Sequence, residues 1–149
     1  QNISSDWVAL RRESMALLQK EAELQEIVQL VGPDALPEKE QAILNTTKMI
    51  REDFLQQSAY HEVDTFTDMK KQYLMLKNIL HFHHSSMNAI DLGISLKELL
   101  KVKVRDRIAR SKEVPSEKIK DLEIISKEID SEFDALSREY TAEQGGRKE

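Results

Sequence analysis

Apolar residues return at helical spacing along most of the chain. Leu10, Leu17, Leu24 and Val31 recur at sevens, Leu18, Ile27 and Val28 widen the stripe, and the pattern stops at Gly32-Pro33. This predicts a long first helix with one buried face and a glycine–proline stop. Pro37 stands where a first-turn proline belongs, and acidic residues follow it, where the helix dipole favours them. Ile43, Thr47, Ile50 and Phe54 then carry a second helix to about Gln57. Residues 58–67 lose the period. Thr67 can cap a third helix with Met69, Tyr73, Leu76, Leu80 and Met87 on its inner face, ended by Gly93. Ser95 and Glu98 have capping-box spacing for a short helix, after which Val102, Val104 and Ile108 support only helical turns. Past Pro115, Ser116 can cap a last helix with Leu122, Ile125, Ile129, Phe133, Leu136 and Tyr140 on one stripe. The Gly145-Gly146 tail should fray. No segment alternates as a strand. The expected fold is an all-α bundle of five to six helices in one domain, 1–149. It divides into a helical hairpin (1–57), a loop (58–67), the remaining helices (68–140) and a flexible tail (141–149).

Composition fits that reading. Hydrophobic residues make up 40% and charged ones 33%, with only four glycines and three prolines, the balance of a helical globular domain. The net charge of -5 is spread over interleaved acids and bases, leaving no basic face for nucleic acid. The absence of cysteine removes disulfides, thiolate nucleophiles and cysteine-bound metals, and suits a reducing, cytoplasmic setting. Apolar runs are too short to span a bilayer, so no direct membrane insertion is expected. Gln1-Asn2-Ile3 does not open a signal peptide, and the missing initiator Met suggests a piece of a longer protein.

Candidate chemistry is sparse. His81 and His84 fall on one helix face with His83 beside them, but they lack acidic partners at ligand spacing; a hydrogen-bonded helix surface is the simpler reading, and no metal is expected. His61, Glu62 and Asp64 could form an acid/base group or be solvated turn residues. The glycines match neither phosphate-binding pattern, so no triphosphate is held unaided and no catalytic residue is assigned.

Two stretches say more. The run Glu26 to Glu40, followed by Ile50-Arg51-Glu52-Asp53-Phe54-Leu55-Gln56-Gln57-Ser58-Ala59-Tyr60 and Glu62-Val63-Asp64, resembles the C-terminal domain of the catalytic A subunit of V-type and archaeal A-type rotary ATPases. The resemblance extends back through Trp7, Arg11-Arg12 and Gln19 to Leu24 and forward to about Ser111; the last helix matches only in character. Lys103 departs from it, standing where proline is expected.

The resemblance implies a parent subunit with an upstream β-barrel and a P-loop nucleotide-binding domain. That subunit would work with ATP or ADP and Mg2+, coupling ATP synthesis or hydrolysis to proton or sodium transport. Its partners would be the B subunits, the central stalk and its own upstream domain, in a peripheral sector on the cytoplasmic side of the membrane. The fragment alone should be inactive and bind no cofactor tightly. Gln57, Ser58, Ala59 and Tyr60 fall on the adenine-side loop, with the Tyr60 ring offered to the base; stacking of this kind is worth about 1–3 kcal/mol in nucleic-acid complexes. By residue type alone Tyr60 would instead pack against the second helix. Asp34, Leu36, Glu38 and Glu40 occupy the loop that resembles the rotor-pushed segment of the related F-type enzymes, where residue type alone reads as a solvated connection. A free-standing helical adaptor is the alternative class. A metal-dependent bundle enzyme is weaker, because paired Glu-x-x-His motifs are absent.

Overall fold

The computed structural model describes residues 3–56 and 66–147. Helix α1 runs Ile3–Val31, α2 Glu38–Met49, α3 Phe66–Asp91, α4 Leu96–Leu99, α5 Val104–Ala109 and α6 Lys120–Arg147. Short 3-10 turns occupy Pro33–Ala35, Arg110–Glu113 and Ser116–Lys118, and among the described residues there is no strand.

The centre of the bundle is α3. Tyr73, Leu74, Met75, Leu76, Ile79, Leu80 and Phe82 are all buried, so this helix is apolar nearly all round, as a helix enclosed by others must be. It packs against α1, α2 and α6. The Phe82 ring meets Phe133 of α6 edge-on at 5.5 Å, and α6 seats Leu122, Ile125 and Ile129 in the same core. Met69 is exposed rather than inward, because the enclosed part of α3 begins at Tyr73.

The helix stops follow their glycines. Gly32, at φ 89°, donates its N–H to Val28 O at 2.8 Å, closing α1 with a single left-handed residue. Gly93, at φ 102°, makes the paired closure of α3: its N–H reaches Ile90 O at 2.9 Å, and that of Ile94 reaches Ala89 O at 3.0 Å.

Several expected caps are replaced by longer-range contacts. Thr67 lies inside α3 rather than ahead of it. Ser95 occupies the N-cap of α4 but makes no side-chain cap bond; the Leu96 N–H instead donates to Glu38 Oε1 at 3.1 Å. Ser116 donates to Asp68 Oδ1 at 2.7 Å. At Lys103 a proline would have no N–H, and here the Lys103 and Val104 N–H groups both donate to the Glu132 carboxylate at 2.8 Å. The tail expected to fray over 141–149 is helical as far as Arg147, its i→i−4 bonds running on through Gly145 and Gly146.

Candidate functional site at the helical hairpin

The hairpin formed by α1 and α2 carries the residues singled out by the sequence. Its tip, Gly32–Pro37, is a left-handed glycine, a 3-10 turn and an extended Leu36. Leu36, expected to offer an apolar rotor contact, is only 3% exposed. Its carbonyl accepts Gln41 Nε2 at 2.7 Å, which anchors the tip on the start of α2, and the side chain is buried. The apolar surface at the tip lies instead on the last turns of α1, where Leu30 is 85% and Val31 64% exposed, with Ile27 also outward. The seven-residue stripe therefore leaves the core at its C-terminal end. Asp34 and Glu38 are exposed and Glu40 is half-buried. Glu38 holds the Leu96 N–H, and neighbouring Lys39 pairs with Asp91 at the end of α3. Of the expected acidic set, Asp34 stands at the tip while Glu38 fastens it to α4.

The two shafts are fastened together. Glu21 on α1 accepts the Thr47 hydroxyl at 2.7 Å and pairs with Arg51. Toward the other end the Trp7 ring meets Phe54 edge-on at 6.1 Å. Beyond Met49 the second shaft continues as a π-helix, Ile50–Leu55, in which Gln56 N–H reaches back five residues to Arg51 O. Asp53 of this stretch is buried with Lys112 Nζ 3.6 Å away; burial pushes its pKa up, and Lys112 partly opposes the shift. Nearby, Arg105 of α5 donates to Asn45 Oδ1 at 2.9 Å, while its buried Nε has no partner among the described residues. Apolar periodicity carried no sign of either feature.

Gln57, Ser58, Ala59 and Tyr60, like His61, Glu62 and Asp64, lie outside the described residues, directly after this shaft.

The three histidines point three ways. His81 Nε2 meets Asp130 of α6 at 2.8 Å and its Nδ1 meets Ser126; His84 Nε2 meets Glu13 of α1 at 2.7 Å. His83 is buried, Nδ1 2.6 Å from Thr46 Oγ1 of α2, and burial lowers its pKa to about 4. The sequence could not place the acidic partners, since each lies on another helix. Among the described residues no three His, Asp or Glu side chains converge on a metal-sized site, and no helix is long and apolar enough to cross a membrane. The two left-handed glycines both end helices, so neither forms a phosphate cradle.

Residues 1–100 match the family described as the C-terminal domain of V and A type ATP synthase. This chain belongs to that family. It is 54% identical over 140 residues to the A subunit of the A-type ATP synthase of Methanopyrus kandleri, covering 93% of this chain and 24% of the relative. It is 50% identical over 136 residues to the V-type ATP synthase alpha chain of Clostridium botulinum, covering 91% and 23%. A third relative, the A subunit of the A-type ATP synthase of Thermococcus sibiricus, is 48% identical over 139 residues, covering 93% and 23%. The domain thus spans about a quarter of the length of these relatives, and the similarity extends past Ser111 into α6.

Proposed function

We propose that this domain belongs to the catalytic subunit of a rotary ATPase, where it closes the adenine side of the nucleotide site and transmits motion to the central stalk. The parent subunit, assembled with B subunits, would couple ATP synthesis or hydrolysis to proton or sodium transport from a peripheral sector on the cytoplasmic side. ATP or ADP and its Mg2+ would have their phosphates held by the upstream nucleotide-binding domain, since the described residues provide no cradle.

The observation that carries the mechanical half is the hairpin itself: its shafts are joined by Glu21, Thr47 and Arg51 while its tip stays bare at Leu30, Val31 and Asp34. Force at the tip moves such a hairpin as a body. Because Glu38 and Lys39 also tie it to α4 and α3, the bundle follows, and with it the chain after Gln56. Coupling requires that the rotor favour one orientation of the domain over another, as an equal interaction in both shifts nothing. Leu30 and Val31, with Asp34 beside them, replace Leu36 as the proposed rotor contact.

The nucleotide half is tested at Tyr60. Tyr60→Ala in the whole subunit should weaken ATP binding by about 1–3 kcal/mol through lost stacking, and Tyr60→Phe should be mild because the ring face survives. Equal losses in both would assign the effect to the hydroxyl or the fold, and no loss in either would remove the adenine role. The isolated 149-residue chain should hydrolyse no ATP; turnover abolished by a substitution within it would contradict the assignment.

A further inference from the structure

The outer face of α1 carries a second apolar stripe. Leu10, Leu17 and Leu24 direct one side of the helix into the bundle. Val8, Met15 and Ala22 repeat at the same spacing, two residues earlier, which at 3.6 residues per turn sets them about 200° around the axis. They are exposed, Val8 by 53% and Met15 by 57%. Between and beside them stand Arg11, Arg12 and Gln19, lining with Val8, Met15 and Ala16 a shallow depression of about 480 Å³.

The fold sorts the charges of this helix. Asp6 accepts the Tyr73 hydroxyl at 3.0 Å, Glu13 pairs with His84, and Glu21 is taken up by Thr47 and Arg51. Arg11 and Arg12 are exposed and form no ion pair among the described residues. Among the described residues of a chain of net charge -5, two arginines thus stand without an ion-pair partner beside an apolar stripe.

We infer that this face of α1 receives an amphipathic helix of a neighbouring subunit, its apolar stripe against Val8, Met15 and Ala22 and its carboxylates opposite Arg11 and Arg12. The inference rests on the reading of the chain as part of an assembled complex. A seven-residue apolar repeat is the seam of helix-on-helix packing, and a planar guanidinium is suited to bidentate carboxylates. A second copy of this chain fits less well. Laid parallel, it would set the arginines against their own kind. Laid antiparallel with Met15 on Met15 and Val8 on Ala22, it would set Gln19 and Leu18, not carboxylates, opposite Arg11 and Arg12.

The test places a photo-crosslinking p-benzoylphenylalanine at Met15 of the whole subunit within the assembled complex and sequences the captured peptide. The expected product is a segment of a neighbouring subunit with apolar residues at helical spacing and Asp or Glu between them. Arg11→Glu with Arg12→Glu should cut the yield by about fivefold to tenfold, and Arg11→Gln with Arg12→Gln by less, while the melting temperature of the subunit stays unchanged. Capture of a second copy, of the subunit's own upstream domain or of a segment without acids overturns the inference, as does an unchanged yield in the charge-reversed variant. No capture in a complex that assembles and turns over ATP also overturns it, leaving the rotary reading intact. A subunit that joins no complex overturns both.

Discussion

Thr47 of α2 is fully buried and donates its hydroxyl to the Glu21 carboxylate of α1 across 2.7 Å. The same carboxylate pairs with Arg51 one turn further along. One side chain thus joins the two shafts of the hairpin.

Glu21→Ala should destabilise the domain by about 0.5–1.5 kcal/mol, because it removes the inter-helix bond to the buried Thr47 hydroxyl, which falls back on Leu44 O at 3.0 Å, together with the pair to Arg51. Glu21→Gln keeps an acceptor and should cost less. Thermal melts of the two variants would show this order, and an equal loss would contradict it.

Glu132 secures the start of α5 by accepting two backbone N–H groups at 2.8 Å. Glu132→Ala should cost about 0.5–2 kcal/mol, the range for loss of a helix cap. Lys103→Pro removes one of the two donors and should cost less than Glu132→Ala, as measured by urea midpoints. A larger loss from the proline would mean that the backbone at 103 rejects it.

Gly93→Ala places a side chain at φ 102° and drives the new Cβ onto the Tyr140 hydroxyl. The left-handed backbone alone should cost about 1–2 kcal/mol. Combining it with Tyr140→Phe removes the nearest atom but not the backbone cost, so partial recovery of the melting temperature is expected. Full recovery would show that only the side-chain clash mattered.

His83 gives the fold a pH dependence of definite sign. Its pKa falls from 6.5 to about 4 on folding, so between those values the unfolded chain binds the extra proton. The stability due to neutral His83 is present above pH 6.5 and is lost as pH falls toward 4, by about 3 kcal/mol in all. His83→Gln, which can still bond to Thr46, should flatten the denaturation midpoint over that window. An equally steep dependence in the variant would assign it to other groups.

What could be read from the sequence was what depends on near neighbours. Gly32 and Gly93 end helices where the apolar period breaks, and Leu122 to Phe133 form the stripe that their spacing indicates. What could not be read depends on other helices. Leu36 sits between Ala35 and Pro37 in a polar loop, and nothing local distinguishes an apolar anchor from an apolar contact. His81, His83 and His84 look like one group in the sequence because their partners Asp130, Thr46 and Glu13 are 37 to 71 residues distant. Ser95 has capping-box spacing to Glu98, yet its side chain makes no cap bond, and the helix start is held by Glu38, which accepts the N–H of Leu96 from 58 residues away.

The central claim is that the hairpin is a lever, and replacement of its tip tests that claim most directly. Leu30→Ser and Val31→Ser, with Pro33–Ala35 exchanged for Gly-Ser-Gly, remove the exposed contact surface while keeping the Leu36 anchor and its bond to Gln41. The measurement is ion transport or torque per ATP hydrolysed, in complexes matched for assembly. A severalfold fall, with helicity and nucleotide binding by the free subunit unchanged, is the predicted result. Undiminished transport and torque would reduce the hairpin tip to a connection between two helices and contradict the account.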